Sequence, residues 1–478
     1  MTVLFYFQNI LTILFHVAVL VRLGKSQVAT AGPCPAAQCS CSEHILDCQL
    51  KNLSDIPVFQ PDNVYYTLQL DHNHIDNVPN LTFRYLHGVR EIHIENNNIS
   101  QVEYLAFQGL EKQVYTLDLS HNQLTSFPTA IGNLENINHI DVQDNPIDAD
   151  SFDEHTMYLI GDTVTNFEFG SDTLTAWPST LRHLQDLGVL TVNGGSFYTL
   201  PPDAFHGFEG TLRTLTIKNT KLIALPLALA NLRFLDTFHF DHNHDIGDSG
   251  VLLPSFGNTE LLTRLTEISL VDDNLTIFPS LLKYLRSVTR LFLDSNKLKF
   301  VSDTSIRDAV GTQVDMLSLR NCSLTRVPGA LSKLTTLRTL DLADNQIRSF
   351  ENSDFEGMMH LQNLTIKNNP LEYIANETFI DLVCLQTLDI MESNIQSIPE
   401  AIRFLSSLST LKLPTDKIEC TCNIVWMKQF MESCNKNLTI AGSCETIDSN
   451  VDDYLKVHIP NCPNFVNATG CINTALTC

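Results

Sequence analysis

One short phrase recurs along most of this 478-residue chain. It consists of an apolar residue, a spacer, a second apolar residue, two further spacers and then usually Asn. Clear copies are Leu68, Leu70 and Asn73; Ile92, Ile94 and Asn97; Leu117, Leu119 and Asn122; Ile140, Val142 and Asn145; Leu291, Leu293 and Asn296; and Leu340, Leu342 and Asn345. Looser copies begin at Phe167, Leu190, Leu215, Phe238, Ile268, Leu317, Leu364, Leu388 and Leu411. That makes fifteen, with starts mostly 23 to 27 residues apart and one interval of 30 before Ile268. A period of this length specifies a solenoid, in which each unit packs only on its neighbours. One elongated domain is therefore expected, in place of the three or so globules that the length alone would suggest.

Within a unit, the alternation in LQLDHNHI turns Leu68 and Leu70 inward and Gln69 and Asp71 outward, as a half-buried strand requires. Asn73 then turns the chain inward, where its amide can bond backbone groups that no strand partner reaches. Stacked copies give a parallel sheet on one face, and fifteen strands span on the order of 70 Å. The returns come in two kinds. One places Pro after an apolar residue, at Pro128, Pro178, Pro226, Pro279, Pro328 and Pro399, which ends strand pairing and starts a short helical or extended segment. The other carries Phe83, Phe107, Phe205, Phe355 or Phe379 to fill the convex core. Residues 241–262 form the longest return, read as a tolerated insertion with a contact loop as the alternative. DHNH occurs at 71–74 and again at 241–244, both times at the turn that closes a strand.

Residues Ile10 to Val21 are an apolar run too short to span a bilayer, interrupted afterwards by Arg22 and Lys25. With a cleavage site at Ala29-Thr30-Ala31, residues 1–31 are expected to be a signal peptide, and an uncleaved anchor is the alternative. No later stretch approaches transmembrane length, so a released product is expected. Of 13 cysteines, four precede the first repeat (Cys34, Cys39, Cys41, Cys48) and seven follow the last (Cys420, Cys422, Cys434, Cys444, Cys462, Cys471, Cys478). Disulfide-stapled caps cover the apolar ends of a solenoid in an oxidising space. Zinc would need paired His at finger spacing, which CPAAQCSC lacks.

The string CPAAQCSCSEHILDC resembles the amino-terminal cap of animal extracellular leucine-rich repeat proteins. CTCNIVWMKQF, followed by Cys444 and Cys462, resembles their carboxy-terminal cap. Slit-type proteins, chaoptin, Toll-type ectodomains and the small matrix proteoglycans share this arrangement. The resemblance covers residues 34 to 462 and implies an α/β solenoid: a leucine-rich repeat horseshoe with a concave parallel β-sheet, short helical or extended convex returns and disulfide-stapled caps. The corresponding division is an amino-terminal cap over 32–60, repeats over 61–415, a carboxy-terminal cap over 416–462 and a cysteine-containing tail over 463–478. It also implies bonds from Cys420 to Cys444 and from Cys422 to Cys462, with Cys34, Cys39, Cys41 and Cys48 paired among themselves. The family binds many unrelated partners, so the resemblance names no ligand.

Five cysteines fall outside that scheme. Cys322 takes the place usually held by Asn and is expected to be buried and free. Cys384 has no obvious near partner, and it stands about two repeats from Cys322, too far for a direct bond. A bond from Cys434 to either tail residue leaves one sulfur exposed, while a bond between Cys471 and Cys478 strands Cys434. A disulfide-linked dimer through Cys478 is one expectation. The other is that the tail pairs differently and the odd sulfur is Cys322 or Cys384.

GxSxG, HExxH, GxxxxGKS and a Gly-rich dinucleotide turn do not occur, so no catalytic residue, cofactor or metal ligand is assigned. A formal charge of -24 disfavours nucleic acid and glycosaminoglycans. The candidate ligand-binding residues lie outward on the first five repeats: Asp71, His72, Glu91, His93, Glu95, Asp118, His121, His139, Asp141, Asp144 and Glu168. None of the twenty outward positions there is Lys or Arg, and a merely solvated acidic face is the plain alternative. Later strands mix in Lys218, Arg290, Arg320, Lys367 and Lys412. His93 and His139 are expected on adjacent strands, where protonation would change the charge of the face. Metal capture by these two is disfavoured on flat strand positions. Glycosylation sequons occur at Asn52, Asn80, Asn98, Asn274, Asn321, Asn363, Asn376, Asn437 and Asn467. Asn321 and Asn363 fall on or beside concave strands, whereas the first ten repeats carry no sequon on their strand positions. The expected product is a secreted binding protein for an extracellular, possibly basic, protein partner, with no nucleic acid and no stable membrane span. A non-catalytic or inhibitory subunit of a secreted enzyme and a matrix component are the alternatives.

Overall fold

Each repeat contributes one strand because its two apolar residues can leave water only if neighbouring copies stack. The computed structural model describes residues 34–61, 64–250, 262–279, 285–299, 301, 306, 311–435, 437–459, 462 and 478. The expected signal peptide, Asn467, Cys471 and the middle of the long return (251–261) lie outside the described residues.

One sheet of 18 strands runs through the molecule. It comprises β1 (Ser40–Cys41), β2 (Ile45–Asp47), β3 (Thr67–Gln69), β4 (Glu91–His93), β5 (Thr116–Asp118), β6 (His139–Asp141), β7 (Asn166–Phe169), β8 (Val189–Gly195) and β9 (Thr214–Thr220). It continues with β10 (Thr237–Asp241), β11 (Glu267–Ser269), β12 (Arg290–Phe292), β13 (Met316–Ser318), β14 (Thr339–Asp341), β15 (Asn363–Thr365), β16 (Thr387–Asp389), β17 (Thr410–Lys412) and β18 (Thr439–Ala441). Strands β3 to β17 are the fifteen expected from the repeat. The sheet is longer than that because the caps extend it: β2 pairs parallel with β3, β1 folds back antiparallel on β2, and β18 pairs with β17.

Register keeps the apolar residues in columns. Leu68, Ile92, Leu117, Ile140 and Phe167 stand opposite one another and are fully buried. Each such side chain is worth about 1.5–3 kcal/mol on burial. Beyond the strand, the recurrent Asn forms an internal ladder. Asn122 donates from Nδ2 to the carbonyls of Ile94, Leu119 and Ser120 and accepts from the Ile99 N–H at Oδ1. Asn73, Asn97, Asn145, Asn296, Asn345 and Asn369 repeat the pattern. The residue before each Asn bends the chain with positive φ, for example His72 (54°), His121 (53°) and Asp144 (52°).

The Pro returns behave as their chemistry requires. Pro128, Pro178, Pro226, Pro328 and Pro399 each cap a five-residue 3-10 turn with φ between -61° and -71°, the value the ring enforces. Pro279 precedes residues outside the described set. The five Phe of the other returns are buried, and Phe83 stacks on Phe107 at 5.9 Å between centroids. Another return carries a helix: α1 (Glu154–Ile160) starts where the Asp153 carboxylate accepts the Thr156 N–H.

Disulfides close both ends. Cys34 bonds Cys41 and Cys39 bonds Cys48, while Cys420 bonds Cys444 and Cys422 bonds Cys462. Helix α2 (Val425–Ser433) lays Met427 and Phe430 against the last repeats. Two expectations need correction. Cys384 has a partner after all, because Cys478 bonds it, 94 residues away in sequence. That intrachain bond also occupies the sulfur expected to link a dimer. Cys434 is disulfide-bonded too. Among the described residues the free cysteine is Cys322, which is buried. Its Sγ donates to the carbonyls of Leu293 and Arg320 in place of an Asn amide, and burial pushes the thiol up to about 12.

Candidate binding surface

Parallel register turns the outward residues of β3 to β7 into rows. One row reads Gln69, His93, Asp118, Asp141 and Glu168, with Thr191 next on β8. Asp118, Asp141 and Glu168 thus stand on three successive strands, where like charges side by side are destabilising. Glu91 and His139 belong to the row below, separated by Thr116. Glu95 and Asp71 lie two residues beyond the row, and His72, His121 and Asp144 occupy the left-handed turns.

The side chains gather into three groups. Asp71 and His72 pair at 3.0 Å between Oδ2 and Nδ1. Asp71 was expected to face solvent, but it is only 7% exposed beneath that imidazole. His93 lies between Glu91 (3.9 Å) and Glu95 (4.0 Å), and Asp118 approaches the same point: donor atoms of His93, Glu95 and Asp118 lie within 4.8 Å of one another. Glu95 Oε2 is buried and lacks a hydrogen-bond partner. Burial, and then the Asp118 carboxylate, push the Glu95 carboxyl above its ordinary range.

The third group is a network around Gln143. Its Nε2 donates to Asp141 Oδ2 (3.1 Å) and to Glu168 Oε2 (2.9 Å), while His139 Nε2 meets Glu168 Oε1 at 3.1 Å. Burial and then Asp118 push Asp141 up to about 7. The hydrogen bond to Glu168 raises the His139 imidazole, and the same bond lowers Glu168. His121 and Asp144 stand slightly apart at 3.5 Å, and Asn193 Nδ2 donates to Asp144 at 3.2 Å. His93 and His139 are not on adjacent strands as expected, since β5 runs between them.

Gln143 and Asn193 were missed from sequence. Both occupy outward places of the same phrase, and a neutral amide gives no charge signal. Four of the five cations of later strands, by contrast, are matched locally, while Lys218 acts on Glu168. Arg290 bonds Glu267 at 2.6 Å, Arg320 bonds Asp344 at 2.7 Å, Lys367 meets Glu392 at 3.0 Å, and Lys412 meets Asp389 at 3.0 Å. Asn363 opens β15 and Asn321 sits at the turn after β13, both on the sheet side. No described helix is long and apolar enough to cross a membrane.

Comparison with known proteins agrees with this geometry. Residues 66–115, 312–371 and 359–418 match the Leucine rich repeat family, and residues 113–134 match a further Leucine Rich Repeat family. Leucine-rich repeat-containing protein 3 of Danio rerio is 37% identical over 99 residues, which cover 20% of this chain and 36% of that protein. Lumican of Coturnix japonica is 27% identical over 266 residues, covering 54% of this chain and 66% of lumican. The chain therefore spans less than two thirds of the length of either curated relative. A solved leucine-rich repeat protein of Leptospira interrogans superposes with a TM-score of 0.55 at 19% identity, covering 79% of this chain and 89% of that one, which concerns the fold alone. Its Asn ladder, its parallel sheet and these matches give the chain the leucine-rich repeat solenoid fold.

Proposed function

We propose that this is a secreted, non-enzymatic binding protein that recognises a basic protein partner through the amino-terminal half of its concave sheet. The observation that carries this reading is the row Asp118, Asp141 and Glu168. Three carboxylates stand side by side with histidines, and Lys218 beyond Glu168, as their nearby bases, and burial pushes Asp141 up to about 7. Such a row costs the isolated fold stability, and a cationic side chain from a partner would remove that cost. The sequons at Asn321 and Asn363 would, if used, place sugar at the other end of the sheet and leave this end open.

Replacing Glu91, Asp118 and Asp141 together by Lys is expected to weaken partner binding at least tenfold and to reverse its salt dependence. Surface plasmon resonance with a partner captured from extracellular fluid reads this directly. Unchanged affinity with an unchanged circular dichroism spectrum eliminates the site.

The pH response has a definite sign. Between pH 7.5 and 5.5 Asp141, pushed up to about 7, takes a proton, and protonation of Glu95 and His139, both raised, changes the charge in the same direction. All three changes remove negative charge, so binding of a basic partner should weaken as pH falls. Asp141→Asn should flatten the profile, and a wild-type profile flat over this range contradicts the reading.

A matrix role is the second reading, supported by the similarity to lumican. Retention of the protein in insoluble extracellular material, with no soluble partner captured, would favour it.

A further inference from the structure

The two DHNH strings have identical chemistry in sequence and different surroundings in space. In the first, His72 Nδ1 stays on its neighbour Asp71 at 3.0 Å, and the residue one repeat further on at the same turn is Asn96. In the second, the carboxylate of Asp241 is taken by the next strand, where Oδ1 accepts from Ser269 Oγ (2.6 Å) and from the Val271 N–H (2.9 Å). His242 and His244 turn instead to Asp272, which holds the turn position one repeat on. His242 Nδ1 lies 2.9 Å and His244 Nε2 3.0 Å from the same oxygen, Asp272 Oδ2.

We propose that His242, His244 and Asp272 form a surface site for a divalent transition metal of the zinc type, with two imidazole nitrogens and one carboxylate oxygen as protein ligands and water completing the shell. At metal–ligand bonds of about 2.0–2.2 Å, adjacent donors in a tetrahedral or octahedral shell stand about 2.9–3.5 Å apart. Two of the three edges already have that length, and the third closes within 4.8 Å. The ion would replace the protons that the two imidazoles now direct at Asp272, leaving each ring to carry its hydrogen on the other nitrogen.

The backbone positions these ligands. The His242 N–H donates to the Val271 carbonyl at 2.7 Å, and Asn274 Nδ2 donates to the His244 carbonyl at 3.0 Å. His242 and Asp272 both sit at left-handed turns one repeat apart, with φ of 59° and 56°. Side-chain exposures of 46% for His242, 56% for His244 and 36% for Asp272 leave open coordination positions for water. Two imidazoles favour zinc, copper or nickel over calcium or magnesium. His93, Glu95 and Asp118 are the competing cluster, but two of those ligands are carboxylates and His93 stands 4.0 Å from Glu95.

Titration of the secreted full chain with zinc chloride at pH 7.5, followed by isothermal calorimetry, tests the assignment. One equivalent is expected whose affinity falls at least tenfold in His242→Ala, in His244→Ala and in Asp272→Asn, and is unchanged in His72→Ala. Cobalt(II) provides a second readout, because its visible absorption on binding should disappear in the same three variants. Melting temperatures without metal should match the wild type, since all three residues are exposed or half-exposed. Wild-type affinity in His242→Ala and Asp272→Asn overturns the proposal. So does loss of the equivalent in His93→Ala alone, or a wild-type chain that takes up no zinc.

Discussion

Asp273→Asn is expected to stabilise the protein by about 2–5 kcal/mol at pH 7.5, an unusual outcome for a core substitution. Asp273 is fully buried at the place where other repeats have Asn. Its Oδ1 does the work of the amide oxygen and accepts the Asn243 N–H at 2.8 Å. Its Oδ2 has no partner, where the amide nitrogen of Asn296 or Asn345 would donate to carbonyls. Burial, and then Asp241 and Asp272, push the carboxyl up to about 9. In the unfolded chain it ionises near pH 4, so between pH 4 and 9 unfolding releases a proton. Stability from this group is full below pH 4 and is lost at about 1.4 kcal/mol per unit as pH rises toward 9. The variant should abolish that decline, with a gain that vanishes near pH 4. Urea unfolding of both proteins at pH 5 and pH 8 measures it, and equal stabilities at pH 8 would mean that Asp273 is ionised in the fold at no cost.

Asn122→Ala should act in the opposite direction, destabilising by about 3–5 kcal/mol. Four buried backbone groups lose their partner at once: the carbonyls of Ile94, Leu119 and Ser120 and the Ile99 N–H. A buried group left unpaired costs about 1–3 kcal/mol, partly relieved by relaxation. Hydrogen exchange should accelerate most at residues 94–99 and 119–124. Asn136→Ala is the control, because Asn136 is exposed and makes a single bond to the Lys112 carbonyl. If the two variants cost the same, the ladder is not what ties successive repeats together.

Both predictions concern a position that the sequence marks plainly. The period, the strand alternation, the inward Asn, the helical turns after Pro and the buried Phe all follow from local rules repeated every 23 to 30 residues. In such a chain local structure and tertiary packing demand the same residues. All fifteen strands were therefore legible, including the loose copies at Phe167 and Ile268.

The candidate site was legible only as composition. That Asp118, Asp141 and Glu168 share one row follows from alternation, but their hydrogen bonds do not. Gln143 bridges Asp141 and Glu168, His72 covers Asp71, and β5 separates His93 from His139, because side chains choose partners by height and rotamer across strands. The two DHNH strings make the same point, since only a carboxylate one repeat later distinguishes them. The repeat phrase by itself determined the strands, the ladder and the direction in which each residue faces, because these depend on neighbours at fixed spacing. Tertiary structure alone decided which carboxylates lose water, which imidazoles meet them, and that Cys384 receives Cys478. Those outcomes depend on distances between segments whose separation along the chain has no bearing on their separation in space.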